Sequence, residues 1–501
     1  MDAVRPSPAP IERDAAQPAA ADRALCVDLD GTLVKSDTLS DSLCILAQQG
    51  PWRLVQALFW LRRGRAHCKA RLAKELLPDP AHLPYNAELM LYLRQQAAAG
   101  RTLVLATGAD RRIAEAVAQH LGIFAQVLAS DGATNLTGKE KLRRLEEHFG
   151  PGGFDYIGNS HTDLPLLRAA ATAHLANPAR GLRRRWLALR KQNAPAAPEE
   201  APQIFLDRAP RTRTWLRMLR VHQWAKNALL FLPLLLAHKL RGPAFAHELT
   251  AFFCFCALAS ATYILNDLLD MEADRQHPRK RKRPLAAGAV RVPAGAALAL
   301  LLALGAAWTS LRVLPHSFTL WLGIYTVSTL AYSLRLKRRV LIDVLLLSAL
   351  YTLRILAGAA AVRVPVSPWM AAFSIFFFFS LALVKRFSEL ENLRLRGAIP
   401  ANGRGYRVQD LEQLRSFGTA SAYASILIFA LYINNPDVGQ LYRHPHRLWL
   451  MTPVLLWWLS RIWLKASRAE LEEDPVVFAL TDRASLLAGL LMAAIAIFAA
   501  R

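Results

Sequence analysis

Three aspartates, Asp267, Asp270 and Asp274, follow Asn266 within a nine-residue stretch. Positions 266, 270 and 274 are four apart, so on a continuing helix they stack on one face with Asp267 beside them. Carboxylates this close repel one another and need a cation. Hard Mg²⁺ prefers a few carboxylates completed by substrate phosphate oxygens and water. Lys280 and Arg283 lie in the basic run that follows and suit further phosphate oxygens. The pattern fits a grip on a diphosphate. A solvated acidic helix end is the plainer reading, but carboxylates at the end of an apolar span are costly and point to function.

A second constellation lies near the start of the chain. Asp28 and Asp30 follow the apolar run Ala24 to Val27, with Gly31 allowing a tight turn after them. Two carboxylates two residues apart after a strand suit phosphoryl transfer. The first attacks phosphorus; the second protonates the leaving oxygen and later activates water.

These residues need elements to position them. From Ala24 to Asn177, short apolar runs alternate with amphipathic stretches. Strands are expected at Ala24 to Val27, Thr102 to Ala106, Val127 to Leu128 and Asp155 to Ile157. Strands alternating with helices imply a parallel sheet covered on both faces. Such sheets place ligands at the carboxyl ends of their strands, where Asp28, Thr107 and Asn159 fall. Arg183 to Arg185 and the Pro-rich stretch Asn193 to Pro202 then mark a linker.

The rest of the chain reads differently. Hydrophobic residues make up 53% of the 501, but they concentrate after about Trp224. There, about nine apolar segments approach the ~20 residues needed to cross a bilayer. They lie near 225–240, 244–266, 293–313, 317–334, 341–361, 367–385, 417–434, 447–464 and 484–500. Loops after the even-numbered segments are basic: Arg279 to Arg283, Lys337 to Arg339, and Lys385 through Arg407. Loops after the odd-numbered segments hold only scattered basic residues, such as Lys239, Arg241, Arg312 and Arg363. This asymmetry places the basic loops and the N-terminal half in the cytoplasm, and an odd count puts the C-terminus outside. A bacterial-type inner membrane is the expected location.

The net charge of +24 is accounted for by these loops and by phosphate-bearing substrates. No nucleic-acid-binding module is present to claim it. The five cysteines, Cys26, Cys44, Cys68, Cys254 and Cys256, form no CxxC pair, which argues against disulfides or zinc. The Ala/Pro-rich start has no apolar core, so a disordered tail is expected rather than a signal peptide. The expected organisation is a tail over 1–23, an α/β domain over 24–178 with a helical cap near 36–99, a linker over 179–212, and an all-α polytopic membrane domain over 213–501.

The acidic box, with Arg283, Pro284, Ala286 and Gly288 after it, resembles the first acidic motif of the UbiA-type membrane prenyltransferase superfamily, which typically has nine spans. His277, Pro278, Lys280, Arg283 and Pro284 resemble its decaprenyl-phosphate phosphoribosyltransferase branch. So do Arg220, Gln223, Trp224, Lys226 and Asn227, then Tyr332 to Lys337, Asp343 and Arg354. The segments holding Glu389, Gly403 to Tyr406, Glu473 to Pro475 and Asp482 to Arg483 resemble it too, without assigned roles. Members acting on aromatic substrates usually carry a second DxxxD box between spans four and five. Lys337, Arg338 and Arg339 stand there instead.

The resemblance implies attack of a polyprenyl-phosphate oxygen on C1 of phosphoribosyl diphosphate, with pyrophosphate leaving. It implies Mg²⁺ held by Asp267, Asp270 and Asp274, with Asn266 orienting. Lys226, Lys280 and Arg283 would contact phosphates, and Lys337, Lys385 and Arg386 are further candidates that also suit orientation signals. A prenyltransferase using an aromatic or other small acceptor is the alternative within the class. A non-enzymatic transport or lipid-binding protein with an inactive soluble domain is the alternative outside it. Oligomeric state is not legible.

The N-terminal motifs resemble the haloacid-dehalogenase-like phosphohydrolases from about Ala24 to Asn177. Asp28 and Asp30 match the first motif and Thr107 with Gly108 the second, a phosphate-binding hydroxyl. Lys141 matches the third, with Lys139 as fallback. Asn159 and Asp163 match the fourth, the Mg²⁺ ligands. The family usually has Asp where Asn159 stands; an amide oxygen still binds Mg²⁺ but without the charge. The fusion suggests that the phosphatase removes the 5-phosphate of the lipid-linked ribose. Within the cap, Trp52 to Arg63 is apolar, basic and amphipathic. A helix packing on its own domain is the expectation there, and the inner leaflet is the other surface it suits.

Overall fold

The computed structural model describes residues 23–192, 201–208, 210–237, 242–395, 405–471 and 475–500. The expected tail up to residue 22, the Pro-rich stretch 193–200, Lys239, Arg241, Gly403, Arg404, Glu473 and Asp474 lie outside the described residues. The chain divides into two compact units. The first is Met1–Met218 with Asp267–Ala296; the second is Leu219–Asn266 with Ala297–Arg501.

The first unit holds a six-stranded sheet in the order β3-β2-β1-β4-β5-β6. The strands are β1 (Ala24–Val27), β2 (Leu103–Asp110), β3 (Gln126–Ser130), β4 (Phe154–Gly158), β5 (Ala173–Ala176) and β6 (Ile204–Phe205). Every pairing is parallel. The period of two along each strand divides the core between the two faces. Leu25, Val27, Leu103 and Leu105 pack on one face with Leu89, Leu93, Ile113 and Val117. Cys26, Val104 and Ala106 pack on the other with Leu145, Tyr156, Leu166 and Trp186.

The helices of this unit are α1 (Thr38–Gln49), α2 (Pro51–Arg62), α3 (Arg65–Glu75), α4 (Ala87–Ala98), α5 (Arg111–Leu121), α6 (Lys139–Phe149), α7 (Leu164–Ala169), α8 (Leu182–Gln192) and α9 (Arg211–Leu219). Two differences from expectation stand out. Helix α4, expected within the cap, belongs to the sheet's core through Leu89 and Leu93. The expected linker over 179–212 contains α8 and the strand β6, which pairs with β5 through Leu175 and Ala176. A two-residue strand leaves too short an apolar run to read in sequence, and the partner strand makes it. The cap is then α1 to α3, with a small core of Leu46, Ala57, Cys68, Leu72 and Leu76. Helix α2 packs on the cap as expected, through buried Ala57 and partly buried Trp60, but most of its apolar residues are exposed.

The second unit is helical. Residues Val221–Leu230 form a 3-10 helix leading into α10 (Phe231–Leu236). Then come α11 (Pro243–Leu269), α12 (Met271–Gln276, in the first unit), α13 (Val292–Val313), α14 (His316–Leu334), α15 (Ile342–Ala361), α16 (Pro368–Leu395), α17 (Leu411–Ile433), α18 (Pro436–Leu441), α19 (Met451–Ser467), α20 (Pro475–Thr481) and α21 (Arg483–Ala500). Each expected apolar segment is helical over most of its described residues. Among the described residues, six helices are long and apolar enough to cross a membrane. The expected first span begins as a 3-10 helix rather than as one long α-helix. Its Leu230 carbonyl approaches α15 so closely that a Cβ on Gly358 would lie 2.1 Å from it. Glycine at 358 makes that approach possible.

The five cysteines are buried and unpaired.

Candidate functional site

The first site forms where β1 and β4 end. Asp28 leaves β1 and is buried. Lys141, on α6, donates from Nζ to Asp28 Oδ1 at 2.7 Å and lies 3.9 Å from Asp163 Oδ1. Thr32 Oγ1 donates to the other Asp28 oxygen at 3.2 Å. Asp163 is fixed by the turn after β4, accepting at Oδ2 from the backbone of Asn159 and Ser160 and from Ser160 Oγ. Asp30 Oδ1 accepts from the Thr38 backbone N–H at 2.8 Å, anchoring the start of α1. Thr107 Oγ1 accepts from the Ala109 N–H at 3.0 Å within the β2 end. Gly31 adopts φ +76°, and a Cβ there would strike the Asn159 side chain. Asn159 therefore lies directly against the Asp30–Gly31 turn.

Electrostatics sort the two carboxylates. Burial pushes the Asp28 carboxyl up to about 6, with Lys141 pulling it back. Burial, then the neighbouring Asp37, push Asp30 up to about 7, against the Thr38 N–H. A carboxyl near 7 is suited to hold and give up a proton. Burial opposes the charge on Lys141, but Asp28 and Asp163 outweigh it and raise its affinity for the proton. Lys141 therefore stays cationic and neutralises charge. Lys139, the fallback, is exposed.

Tyr156 joins this site without a sequence motif to announce it. Its hydroxyl accepts from Lys141 Nζ and donates to Asp163 Oδ1, each at 3.1 Å. The only hint in sequence is that it alternates with Asp155 and Ile157 on β4. Lys69, on α3, also reaches in: its Nζ donates to the Gly108 carbonyl at 2.6 Å, next to Thr107.

The acidic box lies where α11 ends. The helix stops at Leu269, and Asp270 caps the short α12 instead of continuing the span. Gln48, on α1 of the cap, donates to the Leu269 carbonyl, so that group is satisfied outside the helix. Asp267 and Asp274 still converge: Arg283 Nη1 lies 3.1 Å from Asp267 Oδ1 and 2.6 Å from Asp274 Oδ2. Burial pushes the Asp274 carboxyl up, and Arg283 opposes this. The residue after it, Arg275, pairs with Asp41 of α1 at 2.8 Å. Asp270 is half-buried and Lys280 exposed.

Residues 228–486 match the UbiA prenyltransferase family. The chain belongs to that family. Residues 25–168 match the haloacid dehalogenase-like hydrolases. A protein of Sinorhizobium fredii known as uncharacterized protein y4nM is 39% identical over 94% of this chain and 89% of its own length. Nodulation protein NoeC of Azorhizobium caulinodans is 35% identical over 55% of this chain and 89% of its own. A decaprenyl-phosphate phosphoribosyltransferase of Mycobacterium tuberculosis is 32% identical over 44% of this chain and 74% of its own. This UbiA protein is therefore an integral membrane enzyme fused to a hydrolase-like domain.

The UbiA part buries two cationic clusters. Arg354 of α15 donates from Nε to Asn227 Oδ1, from Nη1 to the Leu350 carbonyl and from Nη2 to Tyr325 Oη. Asn227 in turn donates to Cys256 Sγ at 3.3 Å. The neighbouring Lys226 lies 5.9 Å from the Tyr351 ring. Among the described residues, Arg386 of α16 is the largest fully buried side chain. It pairs with Asp343 at 2.6 Å and Glu389 at 2.7 Å, and donates to Tyr332 Oη. Tyr406 donates to Asp343 and accepts from the Leu341 N–H. Arg386, expected at a phosphate, thus directs its donors to protein partners. Lys337, Lys385 and Asn266 are half-buried. Asp482 takes both ends of Arg461, at 2.7 and 3.0 Å, and caps α21 through Ser485.

Among the described residues, no three His, Cys, Asp or Glu side chains form a ready metal cage. The donors present nevertheless fit Mg²⁺. Asp28, Asp30 and Asp163 with the Asn159 amide are all hard oxygen donors. Asp267 and Asp274 already focus on one positive charge.

Proposed function

We propose that this UbiA enzyme joins a polyprenyl phosphate to phosphoribosyl diphosphate, and that its hydrolase domain removes the 5-phosphate from the product. The observation that carries the first step is the convergence of Asp267 and Asp274 on one cationic position. The lack of a second acidic box, with Lys337 to Arg339 in its place, favours a phosphorylated sugar over an aromatic acceptor. The likeness to a decaprenyl-phosphate phosphoribosyltransferase agrees.

In the transfer, a phosphate oxygen of the lipid attacks C1 of the ribose. The bond from C1 to the diphosphate oxygen breaks, and pyrophosphate leaves with its electron pair. Asp267, Asp270 and Asp274 would hold Mg²⁺, which would supply the positive charge that such a leaving group needs. Arg283 bridges Asp267 and Asp274 and is placed to move onto a phosphate oxygen. Asn266 orients, and Lys226 and Lys280 meet the remaining charge. Lys337 and Lys385 add further positive charge, whereas Arg386 is held by Asp343 and Glu389.

In the hydrolysis, Asp28 attacks the 5-phosphate while Asp30 gives its proton to the leaving ribose oxygen. Asp30 then takes a proton from water, which releases inorganic phosphate from Asp28. Thr107 and Lys141 hold the phosphoryl oxygens, and Asp163 with Asn159 completes an Mg²⁺ site. The active sites face the cytoplasm of an inner membrane on the charge asymmetry of the loops.

The test uses membranes bearing the chain, given labelled phosphoribosyl diphosphate and polyprenyl phosphate. Wild type should form a lipid-linked ribose and release pyrophosphate and inorganic phosphate. Asp267→Ala should stop both, and Asp28→Asn should stop only the second. Transfer of a prenyl group from prenyl diphosphate to an aromatic acceptor, with phosphoribosyl diphosphate unused, would overturn the reading.

A further inference from the structure

Helix α2 keeps its apolar side chains in the open. Trp52 is 79% exposed, Leu58 63% and Phe59 58%, with Leu54, Val55 and Leu61 also exposed. At roughly 100° per residue these six fall on one continuous half of the helix. The opposite side holds Ala57 and Trp60, which pack on the cap's small core. A soluble cap gains nothing from leaving such a face in water.

The surrounding charge says what covers it. From Gly50 to Lys74 there are seven Lys and Arg residues and no Asp or Glu. Arg62, the last residue of α2, lies 5.5 Å from the Phe59 ring, at the C-terminal end of the apolar face. An apolar face on a short, wholly basic segment, with a tryptophan at one end, suits the boundary of an anionic bilayer. Fusion to a membrane-spanning part in the same chain keeps a bilayer within reach.

We propose that α2 docks the hydrolase domain on the anionic face of the membrane that holds the same chain. Helix α3 follows α2 after two residues and carries Lys69, which touches the Gly108 carbonyl beside Thr107. Seating α2 in the headgroups therefore positions one wall of the phosphate pocket at the lipid surface. This last step rests on the lipid-linked substrate proposed above; the docking does not.

The test uses the full chain in nanodiscs of phosphatidylcholine and phosphatidylglycerol. Leu58→Cys is labelled with an environment-sensitive fluorophore, the native cysteines being buried. A label at Gln119→Cys, on the exposed side of α5, is the control. The Leu58 label should shift to the blue and be quenched by nitroxide-bearing lipid, while the Gln119 label is not. A Leu58 label as wet as the control overturns the proposal. A blue-shifted but unquenched label means that a second copy covers the face, and also overturns it. Leu58→Glu with Phe59→Glu should slow phosphate release from the lipid-linked phosphoribose about tenfold and leave a small soluble phosphomonoester unaffected. Equal loss on both substrates assigns α2 to cap folding and overturns it. If wild type spares the lipid-linked compound, the substrate reading fails, and the quenching result still decides the docking.

Discussion

Asp41 and Arg275 form a buried ion pair at 2.8 Å although 234 residues separate them. Asp41 lies on the first cap helix, and Arg275 directly follows the last carboxylate of the acidic box. Ser36 Oγ donates to the same Asp41 oxygen, and Arg275 Nε donates to the Ala286 carbonyl. The segment carrying the box is thus tied to the hydrolase cap within one compact unit.

Removing one partner of such a pair strands a buried charge. Asp41→Ala should lower stability by about 3–5 kcal/mol, whereas Asp41→Leu with Arg275→Met should recover most of that loss. Thermal unfolding of the purified chain reads both. A single variant as stable as wild type would show that the pair contributes nothing.

The box makes a sharper demand. Asp267→Asn keeps the shape and loses the charge, and should cut pyrophosphate release on the order of 100-fold or more. Arg283→Gln should raise KM for the diphosphate substrate more than it lowers kcat. Unchanged kinetics in both variants would remove the box from the chemistry.

At the hydrolase site, Asp28→Asn should abolish phosphate release. Lys141→Met should lower it on the order of 100-fold, because Asp28 then lies buried without its cation. Tyr156→Phe, which removes only the hydroxyl between Lys141 and Asp163, should cost about tenfold. Assays with a soluble phosphomonoester isolate this site from the membrane reaction.

Metal removal separates the oxygen donors from the rest. Chelation should stop both activities and Mg²⁺ should restore them. Asn159→Asp adds a carboxylate beside the Asp30–Gly31 turn, so half-maximal hydrolase activity should need roughly tenfold less Mg²⁺. An unchanged or higher requirement would mean that residue 159 does not face the metal.

The sequence by itself determined what depends on near neighbours. The run Ala24 to Val27 could be only a buried strand, so Asp28 and Asp30 had to emerge at its end. The apolar segments after Trp224 were long enough to be read as spans one by one. The four ordered motifs and the acidic box named Asp28, Thr107, Asp163 and Asp267 before any fold was known. What the tertiary structure decided are relations between distant residues. It chose Lys141 over Lys139, because two residues along α6 turn the side chain to the other face, and only Lys141 points at Asp28. It brought in Tyr156, whose strand position says that it is buried but not what its hydroxyl meets. It made β6 from residues that look like linker, since a two-residue strand exists only through its partner. It ended α11 at Leu269, within a pattern that reads as continuous helix, and it turned Arg386 inward to Asp343. A motif records residue types at fixed spacing; hydrogen bonds and ion pairs are settled by which surfaces the fold presses together.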